Sequence, residues 1–424
     1  MPIAWCVSGP ILIAFVGGKI EGNRKTVKVI VLSSLAYSLT NFRGNLLREM
    51  RANGHDVIAV APDNDEAVKR ELARSGIDFR VLPMERAGTN PIADLRLLLS
   101  YIWLMLQERP QLVLAYTQKP IVYGGLASRI ANVPRYFALM SGLGHVFSPG
   151  STASPIVRNT LKHLYRMAVR WARAIFVFNA DDRRDMLELG IIKRDQSVIQ
   201  VPGSGVDVSK FAQMRLPGGA PSFLMIARLL RNKGIIEFLE AARTVSDKHP
   251  DCRFSILGHL DEENPEGISA ADIERFEREY PVRFIPGTSD VRHYLADASV
   301  FVLPSYYREG LPRTILEAMA TGRGVITTDQ PGCRDPIEDG RNGIIVEPRS
   351  AEALAAAMEK LADNPDLISA MGQRSRDIAV EKYSDIKVNH QLLREMDLLS
   401  DRHTLEYPSH EALHENAAAR GTAS

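Results

Sequence analysis

The sequence predicts an α/β protein of two doubly wound domains, each a parallel sheet with helices on both faces. Three observations predict this. Short, nearly unbroken apolar runs alternate with helix-length segments along most of the chain, the pattern of strands buried on both faces. A Pro/Gly-rich stretch, VPGSGVD at 201–207, splits the series in two. The length of 424 residues fits two domains of ordinary size.

In the first half the strands are VKVIVLSS (27–34), VIAVA (57–61), FRVLP (79–83), LVLAYT (112–117), YFAL (136–139) and AIFVF (174–178). Helices are expected near 41–53, 65–75 and 94–108. The second half repeats the alternation with SFLMIA (222–227), RFSILG (253–258), VRFIPG (282–287), VFVLPS (300–305), GVITT (324–328) and GIIVE (343–347). These limits place one Rossmann-like domain at 27–205 and a second at 206–383. Ligands of such sheets bind beyond the strands' carboxyl ends, so a deep cleft between the domains is the expected site. Residues 401–424 have no apolar period and read as a disordered tail.

Composition excludes several classes. A net charge of +1 offers no whole-molecule argument for nucleic acid. Cys6, Cys252 and Cys333 fit neither a metal site nor a secreted disulfide framework, and point to a reducing cytosol. No Walker loop, metal cluster or Ser-His-Asp set is present, and no G-x-G-x-x-G follows the first strand. Residues 1–26 form an apolar extension: 2–18 are uncharged but short for a membrane span, interrupted by Gly9-Pro10 and preceded by no cation. An extension is expected here rather than an anchor.

The chemistry concentrates in YYREGLPRTILEAMATG (306–322). Pro312 suits a helix start, which leaves Glu309 on a loop and Glu317 inside the helix. A helix start attracts a phosphate. Carboxylates on either side of it would instead accept hydroxyls, Glu309 from a sugar and Glu317 from a ribose. In MIARLLRNKGI (225–235), Arg228 and Lys233 leave a strand end and are placed to neutralise a diphosphate. The combination suits a nucleotide sugar.

ARLLRNKG, PSYYREGLPRTILEAMATG and GVITTDQPGCRDPIEDGRNGIIVEP, in that order, resemble the retaining glycosyltransferases of family 4, which have the GT-B fold. The resemblance implies metal-independent transfer with no cofactor beyond the nucleotide-sugar donor. Arg228 and Lys233 would hold the donor diphosphate, Glu309 the transferred sugar and Glu317 the ribose. Gly310 and Leu311 would offer backbone N–H groups, and main chain around Pro286 would meet the base. The family's glycine pair after the first strand is missing, and only Gly44 stands nearby. A last helix, within 384–400, would cross back to the first domain. The first half, including SGLGHVF, FNADDRRDM and VPGSGVD, resembles enzymes extending polyprenyl-diphosphate-linked sugars. That subgroup implies a UDP-sugar donor, a lipid-linked acceptor, and a peripheral position on the inner face of the cell membrane. By analogy Lys119 and His145 stand near the acceptor.

A lipid acceptor calls for a membrane-facing surface. In 154–174, Arg158, Lys162, Arg166, Arg170 and Arg173 share one arc, with Ile156, Leu161, Met167 and Trp171 among the residues opposite. This fits a helix on anionic lipid, or a core helix with a solvated basic face. Two rival functions remain at this level. A nucleotide-sugar epimerase would turn over donor without acceptor, and a non-catalytic subunit would bind donor without releasing nucleotide.

Overall fold

The computed structural model describes residues 26–85, 90–147, 154–261 and 264–400. The apolar run at 1–25 and the tail at 401–424 lie outside the described residues. The first sheet comprises β1 Lys28–Leu32, β2 Asp56–Ala61, β3 Asp78–Val81, β4 Leu112–Tyr116, β5 Arg135–Met140, β6 Ala174–Val177 and β7 Val198–Gln200. Its order is β3-β2-β1-β4-β5-β6-β7, all parallel. The second comprises β8 Ser222–Ile226, β9 Arg253–Gly258, β10 Val282–Pro286, β11 Val300–Leu303, β12 Gly324–Thr328 and β13 Gly343–Val346. Its order is β10-β9-β8-β11-β12-β13, again all parallel.

Alternation along each strand feeds two cores. Val29 and Val31 share one with Leu46, Leu47 and Met50, while Ile30 and Leu32 share the other with Tyr101, Leu104 and Tyr165. Burying each such aliphatic side chain contributes about 1.5–3 kcal/mol. That is why these strands read as unbroken apolar runs. Beyond the strands read from the sequence there is β7, too short and too polar to stand out as a strand, with no buried position.

The helix expected at 41–53 is instead two, Ala36–Asn41 and Gly44–Ala52. The chain breaks at Phe42 and Arg43, and this turns the Arg43 side chain inward over the Tyr116 and Phe178 rings. Pro312 is the N-cap of the helix Arg313–Ala320, not its first residue. The chain's last described helix, Asp385–Glu395, packs on Gly44–Ala52. Its Val388, Leu392 and Leu393 belong to a core of the first sheet, and Leu398 O lies 2.9 Å from His55 Nε2.

Candidate active site

Both sheets have the order 3-2-1-4, so in each the connections leave the central pair of strands in opposite directions. A crevice opens there beyond the carboxyl ends. In the second sheet that crevice lies between β8 and β11. After β8, Arg228 Nη1 donates to Asp261 Oδ2 at 3.0 Å, and its side chain is 57% exposed. A short turn, Arg231–Lys233, then leads to Gly234 with φ +83°. A Cβ at Gly234 would stand 2.2 Å from Pro304 O, so only glycine brings this loop against the end of β11.

That approach joins the residues read from the sequence. Lys233 is buried, its ammonium pairs with the Glu309 carboxylate, and it lies 4.9 Å from the Tyr307 ring centroid. Ser305 Oγ donates to the same Glu309 oxygen at 3.2 Å. Glu317 is buried one helix turn after Arg313, whose Nε lies 3.0 Å from Glu317 Oε1. Burial pushes the Glu317 carboxyl up to about 7, against the pull of Arg313 and Lys210.

The remaining candidates are dispersed. Pro286 is exposed at the end of β10, two strands from β8. Gly44 lines a separate pocket of about 150 Å³ with Lys210, Arg313 and Asp385, not the one beside Glu309. Lys119 does not line the Glu309 pocket; its ammonium meets Asp94 Oδ1 at 2.6 Å. The His145 side chain lies outside the described residues. Arg158, Arg166 and Arg170 are exposed on the first domain, and Lys162 is half-buried. The apolar side opposite them is divided: Leu161 and Leu164 pack inward, while Ile156, Met167 and Trp171 face out.

Across the cleft the two domains touch at the Glu309 loop. A Cβ on Gly310 would meet Ser141 O at 2.3 Å, and Gly142 stands opposite with φ +112°. Asn179 Nδ2 donates to Gly310 O at 3.0 Å. Arg308 pairs with Asp185, Arg334 with Asp181, and Arg313 donates to Asn41 O. Leu311 packs against cores of both domains. A pocket of about 210 Å³ lies between the domains, lined by Thr117, Gln118, Ser141, Tyr307 and Glu309 among others. Thr117 holds φ +70° there, a conformation that costs a β-branched residue about 1–3 kcal/mol.

Sequence reasoning missed this seam. Asn179 and Asp182 carried a signal, because Asn179 caps the helix Ala180–Glu188 by accepting from Asp182 N at 2.7 Å. Burial pushes the Asp182 carboxyl up to about 7, opposed by Arg308 and by Asn179. Arg43 carried none. Its guanidinium is buried, Nε and Nη1 have no hydrogen-bond partner, and burial lowers its pKa to about 10. Among the described residues, no group of three or more His, Cys, Asp or Glu could hold a metal ion.

Comparison with known proteins fits this geometry. Residues 40–202 match the glycosyl transferase 4-like domain, and residues 208–378 match the glycosyl transferases group 1 model. The N,N'-diacetylbacillosaminyl-diphospho-undecaprenol alpha-1,3-N-acetylgalactosaminyltransferase of Campylobacter jejuni is 26% identical over 80% of this chain and 91% of its own. The UDP-Gal:alpha-D-GlcNAc-diphosphoundecaprenol alpha-1,3-galactosyltransferase of Escherichia coli is 26% identical over 70% of this chain and 77% of its own. Among solved structures, Anabaena HepE in complex with UDP-glucose superposes with a TM-score of 0.72 at 18% identity, covering 88% of this chain and 100% of that one. With both family models matched in order along two facing Rossmann-like domains, the chain belongs to the GT-B glycosyltransferases of the family 4 type.

Proposed function

We propose that this glycosyltransferase moves a hexose or N-acetylhexosamine from a UDP-sugar to a sugar carried on a polyprenyl diphosphate, with retention at the anomeric carbon. The observation that carries the reading is the meeting of Lys233 and Glu309 at the β8/β11 crevice, with Arg228 on the same loop and the helix Arg313–Ala320 opening beside it. Cations and a helix start stabilise charge that develops on a departing nucleoside diphosphate, without further reorganisation. In this reading Glu309 holds hydroxyls of the transferred sugar and Glu317 those of the ribose. Gly310 and Leu311 frame the donor from the loop between them.

Two of the relatives act, by name, on undecaprenyl-diphosphate-linked sugars, and a structural neighbour binds UDP-glucose. These support the acceptor and donor classes. We place the acceptor on the first domain, facing the 210 Å³ pocket at Thr117 and Gln118. The protein works at the inner face of the cell membrane, where Arg158, Lys162, Arg166 and Arg170 meet anionic headgroups. We take 27–205 and 206–383 as the working domain limits, with 384–400 returning to the first domain.

A panel of UDP- and GDP-sugars, each with short-chain polyprenyl-diphosphate sugars, tests the reading by mass spectrometry of the lipid product. The expected result is one added sugar, in α linkage, from a UDP donor. Donor turnover that needs no acceptor, or donor binding without transfer to any such lipid, would overturn it.

A further inference from the structure

The helix Pro91–Glu108 has an outer face with no partner among the described residues. Ile92, Leu95, Leu99, Trp103 and Leu106 are each 55–63% exposed. At 100° per residue they fall within an arc of about 80°, and they run roughly 21 Å along the axis. The opposite face of the same helix, with Leu97, Tyr101, Leu104 and Met105, is buried in the core. The helix is therefore apolar on both sides, although only one is covered. Single exposed apolar residues are ordinary, but a continuous stripe marks an interaction surface.

The charges around the stripe identify what covers it. The acids of this helix are engaged: Asp94 with Lys119 at 2.6 Å, and Glu108 with Lys28 at 3.1 Å. The neighbouring helices, Gln118–Ile130 and Pro155–Val169, contain no acid and carry Lys119, Arg129, Arg158, Lys162 and Arg166. Exposed Trp171 beside them lies 4.6 Å from the Arg129 guanidinium and 5.2 Å from that of Arg170. Among the described residues the nearest acid before the helix start is Glu85, which accepts from the N-cap Asn90 at 3.4 Å. An apolar stripe whose own helix has both acids paired, beside two helices that carry cations and no acid, complements an anionic lipid surface. Two copies meeting face to face would bring their cationic rims together at a cost. No described helix is long and apolar enough to cross a membrane, so the stripe lies in the plane of the interface.

We propose that this face seats on an anionic phospholipid bilayer, with Leu95, Leu99 and Trp103 among the acyl chains and the basic rim on the headgroups. The Asp94–Lys119 ion pair ties the first turn of this helix to the start of the helix carrying Gln118, a wall of the Glu309 pocket. Seating thereby sets the pocket at a fixed height above the lipid. The seating deepens the membrane placement proposed above by adding the apolar face that carries it, and use of that height to reach an acceptor rests on the transfer reaction proposed there.

The test is co-sedimentation of the full chain with vesicles of phosphatidylethanolamine and phosphatidylglycerol, and with phosphatidylcholine alone. The wild-type chain binds the anionic vesicles more tightly. The triple variant Leu95→Ser, Leu99→Ser, Trp103→Ser loses anionic-vesicle binding by at least about tenfold. It keeps turnover of a short-chain, water-soluble acceptor within about twofold, since exposed substitutions change little else. Undiminished vesicle binding by the variant overturns the proposal. So does equal loss of vesicle binding and short-chain turnover, or a wild-type dimer in light scattering that the variant converts to monomer. A second measurement needs no destabilising change. In a Trp5→Phe, Trp171→Phe chain, Trp103 fluorescence is quenched by brominated phospholipid, and absence of quenching in vesicle-bound protein overturns the seating. If the chain proves to transfer sugar to no lipid, both vesicle measurements still read the face.

Discussion

The Lys233 ammonium and the Glu309 carboxylate form an ion pair that joins the loop after β8 to the loop after β11, with both side chains largely buried. In the proposed reaction a donor diphosphate entering this crevice would meet a lysine already paired, and the pair would have to part, the lysine turning to phosphate and the carboxylate to sugar hydroxyls. Glu309→Gln frees the cation without changing the shape of the side chain. It should therefore bind UDP alone several-fold more tightly in calorimetry, while kcat falls by about 10²–10³ as sugar contacts weaken. Weaker UDP binding by this variant would count against the exchange.

Arg228 is held differently. It is over half exposed and, among the described residues, pairs with Asp261 at 3.0 Å. Arg228→Ala should leave stability within about 0.5 kcal/mol. Its kcat should drop by about 10²–10³, because charge on the leaving diphosphate grows in the transition state. A variant with full activity would contradict the donor role, and one that fails to fold would contradict the exposed placement.

Gly310 sets how closely the domains meet. A methyl group there would stand 2.3 Å from Ser141 O, and the backbone of another domain cannot yield as a side chain can. Gly310→Ala should hold the cleft open, with kcat reduced at least about tenfold, since closure excludes water from the reaction. Small-angle scattering should show a larger radius of gyration for the variant, with unchanged far-UV circular dichroism. Unaltered scattering with unaltered kcat would show that this contact is not needed.

Stability should fall as pH rises through neutrality. Burial pushes the carboxyl groups of Glu49, Asp182 and Glu317 each up to about 7. A raised folded-state pKa means that, from the unfolded value near 4 up to about 7, the folded chain binds more protons than the unfolded one. Their stabilisation is complete below that window and lost across it. Carboxylates lowered by arginines, such as Asp290 and Glu338, act below the window. The melting temperature should decline from pH 5 to pH 8, and Asp182→Asn should make the decline shallower. A melting temperature that rises over this range would refute the sign.

The sequence by itself determined the two sheets and nearly all of their strands, and it marked Arg228, Lys233, Glu309 and Glu317 as candidates for a donor site. Strands buried on both faces must be apolar along their whole length, and a diphosphate needs cations at a strand end, so both leave local marks in the chain. Tertiary structure alone decided the rest. It paired Lys233 with Glu309 and Arg313 with Glu317, drew Lys119 to Asp94, moved Gly44 to a separate pocket, and buried Arg43 without hydrogen bonds to its Nε and Nη1. It also built the seam of Asn179, Asp181, Asp185, Arg308 and Arg334, and left the outer face of Pro91–Glu108 uncovered by the other described residues. The physical reason is common to all of these. Periodicity shows which positions of an element are apolar, but ion pairs and uncovered faces depend on which distant element arrives opposite, and that is settled only when the two sheets are packed together.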